Sequence, residues 1–255
     1  MNTTRFPILA AGTAALMLVA IAPASAGFTA YEIRNTPPII VGATTTEFII
    51  AAGGDKAGFG SNDVNGQTLG SITDLYIHRD DDTTRFTPGS GPAVAPYLNF
   101  WVTDGTHFAV IANEPSDPDF QPLFVNGTYD LNFADLSSHV AVVHETSDPS
   151  WLPNGGVNLH FSDLSGLIIM SPTAGQFATQ GASTGAPWDH ANNLGYGVNW
   201  VFGDTLTNYV SGQDGYIVDS DARVSSTAAP EPATIALLGA GLAGFAASRR
   251  KRKAA

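Results

Sequence analysis

Two apolar runs, Leu98-Asn99-Phe100-Trp101-Val102 and Phe108-Ala109-Val110-Ile111, stand on either side of Asp104-Gly105. Both turn residues accept positive φ, as the two central positions of a type I′ hairpin require, so this stretch predicts a pair of antiparallel strands. Pro122-Leu123-Phe124-Val125 and Thr128-Tyr129-Asp130-Leu131 flank Asn126-Gly127 in the same way. Between residues 27 and 229 no window of 12 residues repeats its apolar positions at the helical period. Further strand-length segments are 48–50, 72–77, 140–144, 157–161, 167–170, 198–202 and 216–218. Of these, 157–161 alternates and predicts one wet face, whereas Leu167-Ile168-Ile169-Met170 predicts a buried strand. Gly/Ser/Thr/Ala-rich residues 171–187 predict a long loop. The 27 glycines and 16 prolines suit short strands joined by many turns. The expected fold is all-β: one antiparallel β-sandwich over residues 27–222, of jelly-roll or lectin-like type.

Composition removes several classes of function. The chain has no cysteine, which excludes a disulfide scaffold, a zinc-thiolate centre and a thiol nucleophile. Between 27 and 229 the cations are Arg34, Lys56, Arg79, Arg85 and Arg223. Against these five stand 22 of the chain's 23 acids, all but Glu231, for a formal charge of −17. Such a surface repels nucleic acid and anionic lipid, favours solubility and attracts cations.

The two ends read as processing signals. Residues 1–26 carry Arg5, an apolar stretch centred on Leu16-Met17-Leu18-Val19-Ala20-Ile21, and Ala24-Ser25-Ala26. This is the pattern of a signal peptide with an A-x-A cleavage site, placing the mature start at Gly27. At the other end a linker, 223–232, closes on Pro230-Glu231-Pro232. An apolar stretch, 233–248, follows, and then a basic tail, 249–255, with Arg249, Arg250, Lys251, Arg252 and Lys253. The 15 residues 233–247 would span roughly 22 Å as a helix, short of the ~30 Å hydrocarbon core. The snorkelling stems of the basic cluster offset the deficit and keep the tail cytoplasmic. Pro-Glu-Pro, a short apolar helix and an Arg/Lys cluster together resemble the PEP-CTERM sorting domain, over residues 230–253 only. The resemblance implies recognition through Pro230, Glu231 and Pro232, with cleavage by an exosortase in the inner membrane. It further implies delivery to the surface or extracellular polysaccharide of a Gram-negative bacterium.

Several residue groups within the exported part are candidates for chemistry. Asp63, Asn65, Gln67 and Asp74 resemble one calcium loop of a dockerin in spacing. Thr68 stands where that loop needs Gly, and Ser71-Ile72-Thr73-Asp74-Leu75 reads as a strand, so a turn entering a strand is expected. Asp80-Asp81-Asp82 could converge on a cation only in a loop, with Asp80 and Asp82 the favoured Ca²⁺ ligands; Asp214, Asp219 and Asp221 form a second acidic group. Gly181-Ala182-Ser183-Thr184-Gly185 matches G-x-S-x-G, but its flanks offer neither the strand nor the helix of a nucleophile elbow. Asn113-Glu114-Pro115 resembles the acid/base triplet of a clan of barrel glycosidases, yet a helix-poor core of this length cannot form that barrel. The six histidines show no metal-binding spacing. Trp151 and Trp188, the latter followed by Asp189, lie in polar loops where a flat ring can stack on a sugar and a carboxylate can bond its hydroxyls.

With no catalytic constellation, the expected function is that of a non-catalytic surface or matrix protein that holds polysaccharide. An extracellular hydrolase of polysaccharide or esters and a purely structural matrix component are the alternatives.

Overall fold

The computed structural model describes residues 27–82, 95–114, 117–146, 148–180, 182–203 and 212–227. In chain order the strands are β1 (Thr29–Arg34), β2 (Ile39–Val41), β3 (Thr45–Phe48), β4 (Lys56–Ser61), β5 (Ile72–His78), β6 (Tyr97–Thr103), β7 (Phe108–Ala112) and β8 (Thr128–Leu131). They continue as β9 (Val140–His144), β10 (Leu159–His160), β11 (Ile168–Ile169), β12 (Trp188–Asp189), β13 (Leu194–Gly195), β14 (Val198–Gly203), β15 (Tyr216–Asp219) and β16 (Arg223–Ser226). Two short α-helices interrupt them, α1 (Phe133–Ser137) and α2 (Ala174–Gln180). Every strand pairing is antiparallel, so the described chain is all-β, as expected.

The largest sheet runs β1-β4-β14-β6-β7-β9-β10, with β11 on β6 as its eighth strand. Two three-stranded sheets, β15-β3-β2 and β16-β5-β8, face it across one core. Alternate residues of the large sheet point into that core: Val198, Trp200 and Phe202 from β14, and Leu98, Phe100 and Val102 from β6. They meet Phe48, Leu75, Ile77, Tyr129 and Val218 from the smaller sheets. Ring stacking fixes the contact, with Phe48 on Phe202 at 4.5 Å and Tyr129 on Trp200 at 5.4 Å between centroids.

The opposite face of the large sheet is covered as well. Tyr31, Ile33, Tyr196 and Val201 form one apolar group there, and Trp101, Phe108, Val110 and Ala186 another. This double burial explains why the β6 and β7 segments read as almost continuous apolar runs rather than alternating ones. It also explains Gly58 and Gly60 within β4, where an added Cβ would run into the rings of Tyr31 and Tyr196.

Both sequence-predicted hairpin turns exist, with different chemistry. Val125 and Thr128 exchange bonds of 2.9 and 3.0 Å around Asn126 (φ 52°) and Gly127 (φ 79°), the expected I′ geometry. The run before it is a 3₁₀ turn at Gln121–Leu123, and β8 pairs with β5 instead. The other hairpin closes at Thr103 opposite Phe108, leaving residues 104–107 in the loop, longer than a two-residue I′ turn. Asp104 rebuilds that loop: one carboxylate oxygen accepts from the backbone N–H groups of Thr106 and His107, each at 2.8 Å. The His107 backbone and ring bonds, ahead of Thr106, hold the Asp104 carboxyl down at about 2.

Other expectations need correction. The alternating segment 157–161 forms only the two-residue β10 and then a 3₁₀ turn, because Asp163 caps the backbone N–H of His160. The expected loop over 171–187 contains α2. The expected linker contains β16, which pairs with β5, so the strands continue to Ser226. Among the described residues no helix is long and apolar enough to cross a membrane. The leader, the Pro-Glu-Pro triplet, the 233–248 stretch and the basic tail lie outside the described residues.

Candidate functional site

Among the described residues, a cavity opens on the covered outer face of the large sheet. There the floor is built from alternate residues of three neighbouring strands, Val201 of β14, Tyr97 and Asn99 of β6, and Val110 and Ala112 of β7. Charged groups rise at its rim: Arg34 at the end of β1, Lys56 at the start of β4, Glu114 just after β7, and His144 and Glu145 at the end of β9. Ser183, Gly185 and Pro187 close the other side, and the cavity holds about 320 Å³. That volume lies at the lower end of the ~300–1,000 Å³ found for small-molecule sites.

The wall is fastened to the sheet by specific bonds. Glu145, in the left-handed region at φ 56°, turns its carboxylate to accept from the Ser183 backbone N–H at 2.6 Å and the Ser183 hydroxyl at 2.7 Å. Lys56 Nζ donates to the Gly185 carbonyl at 2.8 Å. Gln180 Nε2 donates to the carbonyls of Phe108 and Glu145. Behind them Trp188 stacks on Phe177 at 4.1 Å, and the Trp101 indole N–H donates to the Pro187 carbonyl at 2.9 Å. A non-glycine residue at positive φ is costly, and here the two Ser183 bonds compensate it.

This arrangement changes the standing of several sequence candidates. Trp188 is 1% exposed and Asp189 2% exposed, so neither presents a face to a sugar. Asp189 instead accepts from the backbone and side chain of Asn192 at 2.9 and 2.7 Å, and both residues support the wall. Trp151 ends a 3₁₀ turn capped by Asp148, is half-buried against the core, and stacks on His107 at 5.8 Å. His107 and Asp148 line a smaller cavity of about 170 Å³ beside it. Glu114 and Ser183, each set aside within its own motif, meet on the 320 Å³ cavity. Ser183 sits in a turn after α2 with a carboxylate as its partner, not at a strand-to-helix elbow. Asp74 lies within β5, where its carboxylate accepts from Arg223 Nε at 2.7 Å, so the expected turn and strand replace a calcium loop.

The Asp80-Asp81-Asp82 run is split by strand alternation. Asp81 turns inward to a wholly buried pair with Arg79, Asp82 is exposed, and Asp80 shares a face with His78. The Arg79–Val218 bridge lays Asp219 beside them, so one donor atom each of His78, Asp80 and Asp219 lies within 4.8 Å of the others. Burial, then a side-chain hydrogen bond with Asp80 and the charges of Asp80 and Asp221, push the Asp219 carboxyl up to about 6, against the pull of His78.

No sequence signal marked Arg34, Lys56, Tyr97, Asn99, His144 or Glu145. A charge count alone hints at them, since the cavity gathers two of the five cations between 27 and 229.

Compared with known protein families, the chain matches the PEP-CTERM protein-sorting motif at residues 228–251. No curated protein and no solved structure matches it. A chain bearing this motif is an exported, surface-directed protein sorted by exosortase.

Proposed function

We propose that the domain delivered by this sorting motif is a non-catalytic β-sandwich that holds a saccharide unit of surface or extracellular polysaccharide in the cavity over β14, β6 and β7. The sorting segment serves delivery: residues 233–248 anchor the precursor in the inner membrane until exosortase cuts near Pro230-Glu231-Pro232. The observation that carries the binding reading is the cavity's composition. Arg34, Lys56, Glu114 and Glu145 ring a floor of Asn99, Val110, Ala112 and Val201, with the Tyr97 ring among them. A sugar offers the complement, an apolar C–H face edged by hydroxyls that both donate and accept. The opposed charges nearly cancel, which favours a polyhydroxylated ligand over an ion. The fastened wall and the sheet floor make the site largely pre-formed, which limits the ordering cost of binding.

A glycan array on the purified protein, followed by calorimetry on the best ligand, tests this. Tyr97→Ala is expected to weaken binding at least tenfold, about 1.4 kcal/mol, with the melting temperature little changed. A blank array, or equal binding by the variant, refutes it.

The hydrolase alternative draws on one observation, the two carboxylates Glu114 and Glu145 on the same cavity as His144 and Ser183. It requires turnover that Glu114→Gln or Glu145→Gln abolishes while binding persists. Binding without turnover by the unaltered protein decides for the first reading.

A further inference from the structure

We infer that His78, Asp80 and Asp219 bind one divalent cation of the zinc class, which clamps the end of β5 to β15. His78 ends β5 and Asp219 ends β15, strands of different sheets, while Asp80 lies two residues past β5, and a donor atom of each lies within 4.8 Å of the other two. His78 Nε2 stands 3.4 Å from Asp80 Oδ1. Two donors held ~2.1 Å from a tetrahedral centre stand ~3.4 Å apart, so this edge already has the length that a shared ion imposes.

The imidazole is oriented for the task. Its other nitrogen, Nδ1, lies 2.7 Å from the Thr128 hydroxyl of β8, which fixes the ring and leaves Nε2 toward the carboxylates. A ligating histidine characteristically has its second nitrogen tied in this way. The Arg79 guanidinium, between His78 and Asp80 in the chain, faces the other way and is bound to Asp81. Among the described residues no Lys or Arg forms an ion pair with Asp80 or Asp219. The Asp80 and Asp219 carboxylates and the His78 imidazole thus bring three donor atoms together at one junction, where a cation can share them.

One nitrogen and two carboxylate oxygens choose the class. Calcium and magnesium take all-oxygen shells of six or more ligands, whereas an imidazole with two carboxylates and open positions suits zinc and its neighbours. The Asp80 ligand anticipated from sequence is retained; His78 and Asp219, rather than Asp82, complete the set. The role is structural: β5 and β15 already meet through the Arg79–Val218 bridge and the bond from Asp80 N–H to the Ile217 carbonyl at 2.9 Å. A shared ion would lock that junction.

The test is thermal unfolding of the full chain, stripped with EDTA and then titrated with Zn²⁺, Mn²⁺ or Ca²⁺. Zn²⁺ at a hundredfold excess over its Kd is expected to raise the melting temperature by about 5–10 °C. His78→Gln and Asp219→Asn should each abolish the rise while melting like the stripped parent without metal. Calorimetry should give one Zn²⁺ per chain. No rise with any ion, an equal rise with Ca²⁺ that survives His78→Gln, or a Zn²⁺ rise that survives both substitutions would each overturn the assignment.

Discussion

Asp81→Asn is expected to destabilise the protein by about 3–5 kcal/mol, because it takes from a buried guanidinium the carboxylate that holds it by two bonds. The Asp81 carboxylate accepts from Arg79 at 3.0 and 2.5 Å and from the Ile217 N–H at 2.9 Å. Both side chains are wholly buried, and Arg79 lies 4.3 Å from the centre of the Tyr216 ring. The amide keeps the shape but loses the charge and replaces one accepting oxygen by an NH2 donor that faces another N–H, so the cost combines a lost charge with a lost hydrogen bond. Urea unfolding should show a lower midpoint with an unchanged slope. Arg79→Met added to Asp81→Asn should recover part of the loss, since no buried charge then has to be held there. The exposed Asp119→Asn should stay within about 0.5 kcal/mol of the parent. A near-parental midpoint for Asp81→Asn would show that the junction between β5 and β15 does not depend on this pair.

Trp200→Ala should cost a similar amount, about 3–5 kcal/mol, for a different reason. Trp200 has no exposed surface and lies parallel to Tyr129 at 5.4 Å, joining the large sheet to β8. Truncation opens a cavity that two sheets, pinned by their own ladders, cannot collapse to fill. Its indole N–H has no hydrogen-bond partner among the described residues. Trp200→Phe therefore forfeits volume but no hydrogen bond, and should cost clearly less than the alanine variant. Equal losses for the two would mean that stacking on Tyr129 contributes nothing.

The fold was legible wherever its signal was local. Asn126-Gly127 announces its turn because both residues must take positive φ, and the apolar runs of β6, β7 and β14 announce burial. Strand β4 was not legible. Its sequence, Lys56-Ala57-Gly58-Phe59-Gly60-Ser61, reads as turn-forming glycine, yet those glycines make room for tyrosine rings from elsewhere in the chain. The same holds for β16, whose Arg223 and Ser225 look like linker until β5 lies beside them. The 104–107 loop shows a local signal overruled by a side chain, since Asp104 binds two backbone N–H groups that a tight I′ turn would leave elsewhere.

The candidate sites were legible only as scattered parts. Glu114 and Ser183 each belonged to a motif whose required context was missing, and neither motif describes what they do together. Arg34, Lys56, Asn99 and Glu145 meet through sheet order, a long-range property that one sequence does not print. Asp80 and Asp219 were each noticed within separate acidic groups. What joins them is the Arg79–Val218 bridge, together with the alternation that sends Asp81 inward and Asp80 out. The loop tryptophans show the converse: Trp188 lies in a polar setting along the chain but under Phe177 in space.

The central sheet is wrapped on one side by its partner sheets and on the other by the α2 segment and its neighbours. Small exported domains commonly gain durability from covalent cross-links, and this chain has no cysteine with which to form one. Its resilience outdoors rests on that double jacket, which no change in ambient redox potential can unfasten. Dithiothreitol should leave its melting curve where it was.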